Sequence, residues 1–287
     1  MSTRVKNNTM DTSLADEVLA HLERQITTAS PSEPQIDESV IAIYEKVALL
    51  LSRYKSGKIP KAFKIIPNLK NWEQIMIITR PENWTPNATF QATKIFLASL
   101  NTKLAVKFLS SVLLKKIVYD LDENKKLNPH HYQAIMLAVY KPAAFFKGLI
   151  FPICADENTT LKTAAIICSI IKKISIPVLH SAAAILKLVE LPYSGPRAII
   201  LKSFIEKKYS LPKKAVESVV NYFRNNESVI PAPVLLQQLL LTLCEKYGPE
   251  MSQPDRDYVM NYIRSHYHDQ ISDEIIRALN SSASMLA

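Results

Sequence analysis

Glycine is scarce in this chain of 287 residues, which contains only Gly57, Gly148, Gly195 and Gly248. Hairpins and bulges of β-sheets draw on glycine, and phosphate-cradling loops need two or three glycines close together. Four scattered glycines therefore argue against a sheet-based fold and exclude Rossmann and P-loop nucleotide sites.

Cysteine is almost as rare, and the three thiols, Cys154, Cys168 and Cys244, lie far apart in apolar runs. Their spacing predicts buried thiols in a reducing compartment rather than a disulfide framework. No CxxC pair is present, which argues against a zinc site of the usual kind. We therefore expect no metal and no cofactor.

Long uncharged runs are also missing, and the polar N-terminus has no signal-peptide core. The longest uncharged run, Ser228 to Cys244, is interrupted by Pro231 and Pro233, which leaves too little for a membrane span. The sequence predicts a soluble intracellular protein without a membrane partner.

Catalytic signatures are lacking as well, since GxSxG, HExxH and the kinase motifs do not occur. His130 and His131 are adjacent and point to different sides of a helix, so they cannot chelate a metal together. Asp120, Asp122 and Glu123 are typical of a solvated turn. We expect no enzyme activity and no small-molecule substrate.

His180 is the remaining candidate, in the apolar stretch "SIPVLHSAAAILKLVELPYSG". A catalytic histidine needs an orienting partner, and no acidic residue or second histidine lies within one turn of it. We therefore predict that His180 is a core residue with a hydrogen-bonding partner.

Positive charge is present in excess, with a net charge of +9 and a pI near 9.3. Residues 1–40 have a balance of −4, and the rest of the chain has +13. The positive charge of the chain after residue 40 favours an anionic partner, with nucleic acid as the first candidate and a membrane surface as the second. The alternative is a soluble basic protein that has no such partner.

Residues 1–35 are predicted to be a flexible N-terminal arm. Residues 10–28 could form an amphipathic helix, because Leu14, Val18, Leu22 and Ile26 are spaced by four. The stretch "ASPSEPQ" then reads as a linker, and residues 36–287 are expected to form one helical domain.

A loop residue followed by proline recurs before apolar helical stretches, and Thr85 and Asn128 can cap the helices that follow them. The pattern predicts an all-α protein of about a dozen helices. Helix pairs starting at 86, 129, 160, 196 and 234 favour a degenerate helical-repeat (HEAT/TPR-like) α-solenoid over a closed bundle. Helices 160–173 and 177–190 are apolar nearly all round, so we expect them at the buried centre.

One stretch, "SRYKSGKIPKAFKIIPNLKNW", holds six cations and no acidic residue. Cations on an irregular segment can follow a phosphate backbone, and the interleaved Tyr54, Phe63 and Trp72 can stack on bases. The alternative is a solvated connection in which Phe63, Ile65 and Ile66 dock on the body and hold the lysines outward. We call residues 53–70 the basic segment, and its candidate RNA-binding residues are Arg53, Lys55, Lys58, Lys61, Lys64 and Lys70.

A weaker second cluster is diluted by Glu206 and Glu217. Its members are Lys202, Lys207, Lys208, Lys213 and Lys214. Structural roles are predicted for Trp84, Pro86, His180 and Gly195, with Trp84 packing near Phe90 at the start of a helix.

Five stretches in order, "YKSGKIPKAFKIIPNLKNWEQI", "TRPENWTPNATFQATKIF", "YKPAAFFKGLIFPIC", "ISIPVLHSAAAILKLVELPYSG" and "KKYSLPKKAVESVV", resemble the bystin family of small-subunit ribosome assembly factors. The resemblance covers residues 54 to 278. It implies a helical protein without catalytic activity, and it places His180 in a "PVLHS" motif for which no reaction is known.

The resemblance also implies binding to precursor 40S subunits near the head or beak, with contacts to pre-rRNA, other assembly factors and ribosomal proteins of that region. Nuclear and nucleolar stages and a later cytoplasmic stage are implied as well. Two departures are visible: only about 35 residues precede the body, and Leu236-Gln237 replaces a family Trp-His pair. A purely protein-binding helical adaptor is the alternative function.

Overall fold

The computed structural model describes residues 36–227 and 233–284, so the predicted arm and its helix at 10–28 lie outside the described residues. Within the described ranges the chain forms fourteen α-helices and no β-strand. The prediction of an all-helical protein is therefore confirmed. Contacts divide the molecule into two compact units, 1–138 and 139–287.

The first unit is described from residue 36 onward. Its helices are α1 (Glu38–Ser52), α2 (Lys61–Ile65), α3 (Trp72–Ile78), α4 (Pro86–Ser99), α5 (Thr102–Phe108, Leu109–Leu113 and Leu114–Glu123) and α6 (Pro129–Ala138). The middle of α5 is a π-helical turn. Short 3-10 turns, Ile66–Asn68 and Pro81–Asn83, precede α3 and α4.

Helix starts in this unit follow the predicted proline and capping signals. The hydroxyl of Thr85 accepts a hydrogen bond from Ala88 N at 3.1 Å, and Pro86 is the first residue of α4. The side chain of Asn128 accepts from His130 N at 2.9 Å. These residues satisfy backbone N–H groups that a helix start leaves unpaired.

An aromatic cluster forms the core of the first unit. Phe63 contacts Trp84 edge-on at 5.3 Å and lies 5.7 Å from Phe96. Phe96 stacks on Phe108 at 4.5 Å and meets the edge of Trp72 at 5.9 Å. Because these rings come from α2, α3, α4, α5 and the turn before α4, one cluster joins most elements of the unit.

The second unit is described at residues 139–227 and 233–284. Its helices are α7 (Pro142–Phe145, Phe146–Ile150 and Phe151–Ala155), α8 (Leu161–Lys173), α9 (Val178–Leu188), α10 (Gly195–Glu206), α11 (Lys213–Asn225), α12 (Val234–Tyr247), α13 (Gln253–Ser265) and α14 (Ser272–Ser284).

Alternate helices of the second unit pack on one another. One row is formed by α8, α10, α12 and α14, and the other by α9, α11 and α13. From α8 to α12, each helix therefore contacts the helix two places further along the chain.

Helices 160–173 and 177–190 were expected at the buried centre because they are apolar nearly all round, and this expectation is wrong for one face of each helix. Each corresponding helix, α8 and α9, buries one face and exposes another, with Leu161 of α8 51% exposed and Leu179 of α9 77% exposed. Each of these helices packs only one face against its neighbours in the row, so leucines on the opposite face can remain exposed to solvent.

Candidate nucleic-acid interface

The six cations of the basic segment, residues 53–70, all have exposed side chains. Among the described residues, none of the six side chains forms an ion pair or a hydrogen bond. Their charges therefore remain available to an anion approaching from solvent.

The backbone of the basic segment is hydrogen-bonded to the start of α4. Thr85 N donates to Leu51 O at 3.2 Å, and the Thr85 hydroxyl donates to Tyr54 O at 2.7 Å. Asn87 Nδ2 donates to Lys55 O at 2.5 Å. The lysines thus project from a held backbone, which lowers the conformational entropy lost on binding.

Apolar side chains anchor the segment on the body, as the alternative of a solvated connection predicted. Phe63 and Ile66 are fully buried, and Ile65 is half-buried. The hydroxyl of Tyr44 on α1 donates to Ala62 O at 3.2 Å. Burial of one face of α2 leaves its lysines on the opposite, solvent-facing side.

Base stacking by the interleaved aromatics is not supported for two of the three residues. Phe63 and Trp72 are buried in the aromatic core, because large rings gain more from packing there than from exposure. Tyr54 is half-buried, and its hydroxyl donates to Gly57 O at 2.7 Å. The basic segment therefore presents charge rather than rings.

The second cluster is partly used inside the fold. Lys207 Nζ donates to Ile171 O at 2.8 Å and to Ile174 O at 2.6 Å, and Lys202 lies 3.7 Å from Glu206. These contacts remove two of the five cations. The exposed members that remain are Lys208, Lys213 and Lys214.

Trp84 and Pro86 have structural positions. The ring of Trp84 is buried against Phe63, and Trp84 Nε1 donates to Thr79 O at 2.8 Å. Phe90, the predicted partner of Trp84, instead lies 6.4 Å from the His130 ring. The indole is thus fixed by one hydrogen bond and by the aromatic core.

Gly195 begins α10 at a close contact between three helices. A β-carbon at this position would lie 3.1 Å from Leu161 Cδ2 of α8 and 3.3 Å from Leu235 Cδ1 of α12. Glycine allows this approach because it has no side chain.

The prediction that His180 is a buried core residue is wrong. Its side chain is exposed at the first turn of α9, next to the exposed Leu179, while Ser181 is fully buried. The apolar sequence around His180 did not reveal which face of α9 meets its neighbours. Because its surroundings are solvent, no core partner orients the imidazole for catalysis.

A buried pair, Asp120 and His131, escaped the sequence analysis, which assigned Asp120 to a solvated turn. The Asp120 Oδ2 atom lies 2.6 Å from His131 Nδ1 and accepts from Asn128 N at 3.0 Å. Burial lowers the pKa of His131, and the neighbouring Asp120 opposes this shift. Helical spacing could have revealed both, since Asp120 follows Ile117 and His131 precedes Ala134 on buried faces.

A groove of ≈ 850 Å³ lies between α3 and α5. Ile77 and Tyr119 line it and are 67% and 63% exposed. On its wall, Lys116 Nζ donates to Glu82 O at 2.6 Å and to Trp84 O at 2.9 Å. Burial lowers the pKa of Lys116, although the negative charges of Asp120 and Glu82 act to raise it. The lysine therefore holds the turn before α4 in place.

The three cysteines are buried and free, as predicted. Burial raises the pKa of the thiols of Cys154 and Cys244 to about 12 and that of Cys168 to about 11, so the thiolate is disfavoured in each.

In the described ranges no three side chains of His, Cys, Asp or Glu come together as a metal site. None of the described helices has the length and hydrophobicity needed to cross a membrane.

Leu236 and Gln237, at which the resemblance implies a Trp-His pair, lie on α12. Leu236 is fully buried. Gln237 is also buried, and its Nε2 donates to His266 O at 3.1 Å, which ties α12 to the end of α13. Both side chains therefore take part in packing within the second unit.

Comparison with known proteins covers nearly the whole chain. The model of the Bystin family matches residues 5–286. A bystin from Nematostella vectensis is 43% identical over 269 residues, which is 93% of this chain and 61% of that protein. The bystins of Monosiga brevicollis and Homo sapiens are 45% and 44% identical over 91% and 87% of this chain, and over 63% and 57% of their own lengths.

The chain thus spans about three fifths of the length of the curated relatives it matches. The family match nevertheless includes both compact units of the structure. Identity above 40% over so much of the sequence is far beyond what a shared helical fold alone would produce. This chain therefore belongs to the Bystin family.

Proposed function

We propose that this protein is a non-enzymatic ribosome assembly factor that binds precursors of the small (40S) ribosomal subunit. It contacts pre-rRNA through the basic segment, and it acts during maturation of the subunit head and beak and during pre-rRNA processing. Membership of the Bystin family supports this proposal. The observation that carries the RNA contact is the set of six exposed cations on a hydrogen-bonded backbone.

The electrostatics favour a phosphate backbone over a specific base sequence. The segment lacks acidic residues, so no internal carboxylate neutralises its cations. Phe63 within the segment and Trp72 just beyond it are buried, so binding depends on phosphate contacts, which release counterions and are strongly salt-dependent.

The remaining features of the proposal concern architecture, partners and location. The alternating rows of the second unit support a helical-repeat scaffold of the HEAT or TPR kind, since such scaffolds present extended surfaces to several partners. The partners are other assembly factors and ribosomal proteins of the head and beak. The protein acts in the nucleus and nucleolus and then on late cytoplasmic particles.

Salt titration of RNA binding tests the contact. If four cations neutralise phosphates of a single strand, the logarithm of the association constant falls against the logarithm of salt concentration with a slope of roughly −3, from about −0.7 per contact. Replacing Lys58, Lys61 and Lys64 by Glu removes three contacts and should reduce the slope to roughly −1. Circular dichroism checks the fold.

A matched control changes the same amount of charge elsewhere in the first unit. Lys103, Lys125 and Lys126 are exposed, and their replacement by Glu should leave the slope near the wild-type value. Equal slopes for wild type and the basic-segment variant would contradict the proposed contact. Absence of measurable RNA binding in all three proteins would favour the alternative, a helical adaptor that binds only proteins.

A further inference from the structure

Two connecting turns of the second unit share one sequence pattern. Residues 170–177 read "IIKKISIP" and residues 205–212 read "IEKKYSLP", so Ile, Lys-Lys, Ser and Pro recur 35 residues apart. The first turn joins α8 to α9, and the second joins α10 to α11. A repeat at this interval is typical of stacked helix pairs.

Hydrogen bonds and an ion pair connect the two turns. Lys207 of the second turn donates to Ile171 O and Ile174 O of the first, and Lys172 of the first lies 2.7 Å from Glu206 of the second. The leading lysine of each Lys-Lys pair is therefore part of the contact between the turns. These contacts hold the two turns next to each other.

The outer side of the two turns is cationic. The trailing lysines, Lys173 and Lys208, are exposed. Lys213 and Lys214 are exposed at the first turn of α11. Glu206 is already within 4 Å of two lysines. The other acidic residue of the cluster, Glu217, is exposed one turn further along α11.

An exposed leucine lies in the helix turn that follows the first connection. Leu179, in the first turn of α9, is 77% exposed, and His180 next to it is also exposed. The connections that lead into α9 and α11 are hydrogen-bonded to each other, through Lys207 and through Ile176 N and the Tyr209 hydroxyl, so both helices begin on the same side of the second unit. We call Leu179, Lys208, Lys213 and Lys214 the turn surface.

We propose that the turn surface binds an acidic peptide segment of a partner protein that carries an apolar residue among its carboxylates. The lysines complement the carboxylates, and Leu179 offers an apolar contact to the partner's side chain. The exposed Leu179 favours a peptide over RNA at this surface, because a phosphate backbone offers no apolar group for a leucine to pack against. The basic segment, which we propose for RNA, has no exposed apolar side chain.

This binding site is separate from the RNA contact of the basic segment and does not depend on it. Residues 53–70 lie in the first compact unit, and the turn surface lies entirely in the second. Variants at one site can therefore be combined with intact residues at the other.

Fluorescence anisotropy with three labelled probes tests the proposal on the full chain. The probes are a dodecapeptide of glutamates with a central Leu-Leu pair, the same peptide with a central Ala-Ala pair, and an oligouridine of equal length. The Leu-Leu peptide should bind more tightly than the Ala-Ala peptide. Replacing Lys208, Lys213 and Lys214 by Glu should weaken it about tenfold or more, because three attractive charges become repulsive ones.

Leu179→Ala separates apolar contact from charge. It should weaken the Leu-Leu peptide severalfold and leave the Ala-Ala peptide unchanged. The triple variant of Lys103, Lys125 and Lys126 is the charge-matched control and should bind the peptides as wild type does. Lys208 has a φ of 52°, a left-handed conformation that glycine adopts freely, so Lys208→Gly removes one cation without straining the turn.

Three results would overturn the proposal. One is failure of the Leu-Leu peptide to bind. Another is equal weakening by the control triple, which would show only a response to net charge. The third is tighter binding of oligouridine that is lost in the Lys208, Lys213 and Lys214 variant, which would make the turn surface a second RNA contact. Loss of oligouridine binding only in the basic-segment variant would leave this proposal intact.

Discussion

The indole of Trp84 contributes both packing and a hydrogen bond to the first unit, because its ring lies against Phe63 and its Nε1 donates to Thr79 O. Trp84→Ala should lower the free energy of unfolding by about 3–5 kcal/mol, as for other buried aromatic residues. Trp84→Phe keeps part of the packing and should have a smaller effect. Urea denaturation measures both, and an unchanged midpoint for Trp84→Ala would show that the ring is exposed.

His131 makes stability depend on pH. Its folded-state pKa is lowered by burial, whereas the unfolded chain has a pKa near the usual value of about 6.5. Between these two pKa values the unfolded state binds more protons, so the free energy of unfolding should rise with pH and lose this dependence above about 6.5.

Denaturation at several pH values below and above that value checks this behaviour. His131→Gln should flatten the dependence, and His180→Gln, at an exposed position, should preserve it. A wild-type protein that becomes more stable as the pH falls through this window would contradict the buried neutral histidine.

Replacement of His180 should have little effect on the fold. The side chain is exposed, and surface substitutions usually change stability by no more than about 0.5 kcal/mol. Thermal unfolding of His180→Ala should therefore match that of wild type. A large drop in melting temperature would restore the core role that the sequence alone suggested.

At the scale of elements, Gly195 sets the distance between α8, α10 and α12. A β-carbon there would meet leucine methyl groups at 3.1 and 3.3 Å, which are flexible side-chain ends. Gly195→Ala should therefore be mildly destabilising, and Gly195→Val should cost more, about 1–3 kcal/mol from overpacking. Equal stability of wild type and Gly195→Val, measured by urea denaturation, would show that the three helices can separate.

Helix starts were predictable because their signals are local. Pro86 begins α4 with Thr85 as its cap, and α6 begins after Asn128, since capping involves residues within one turn. The "KK-x-S-x-P" repeat is equally visible in the sequence, but its meaning needed the contacts between Lys207 and the preceding turn. The pairing of helices depends on contacts between residues far apart in the sequence, and hydrophobic periodicity within one helix does not predict these contacts.

The buried face of an apolar helix was harder to predict than its start. Around His180 and Leu179 nearly every residue is apolar, so hydrophobic periodicity gives no direction. The pairing of Asp120 with His131 joins two helices across a turn, and single-helix arguments miss such pairs. The basic segment was predictable as charge, but the burial of its aromatic rings follows from tertiary packing.

At the scale of the whole molecule, both proposed functions depend on exposed positive charge. The chain carries a net charge of +9, and its thiols are buried. We propose that the basic segment of the first unit binds RNA and that the turn surface of the second unit binds a peptide. Separate binding surfaces in the two units would suit a scaffold that binds RNA and a protein partner at the same time.

Ultraviolet crosslinking on purified precursors of the small subunit, with mapping of the joined peptides and nucleotides, tests the central claim most directly. We expect peptides from residues 53–70 to crosslink to pre-rRNA and this crosslink to be lost when Lys58, Lys61 and Lys64 are replaced by Glu. The variant of Lys103, Lys125 and Lys126 should retain it. A particle-bound protein that crosslinks only to other proteins, with no RNA attached to residues 53–70, would contradict the proposed role of the basic segment.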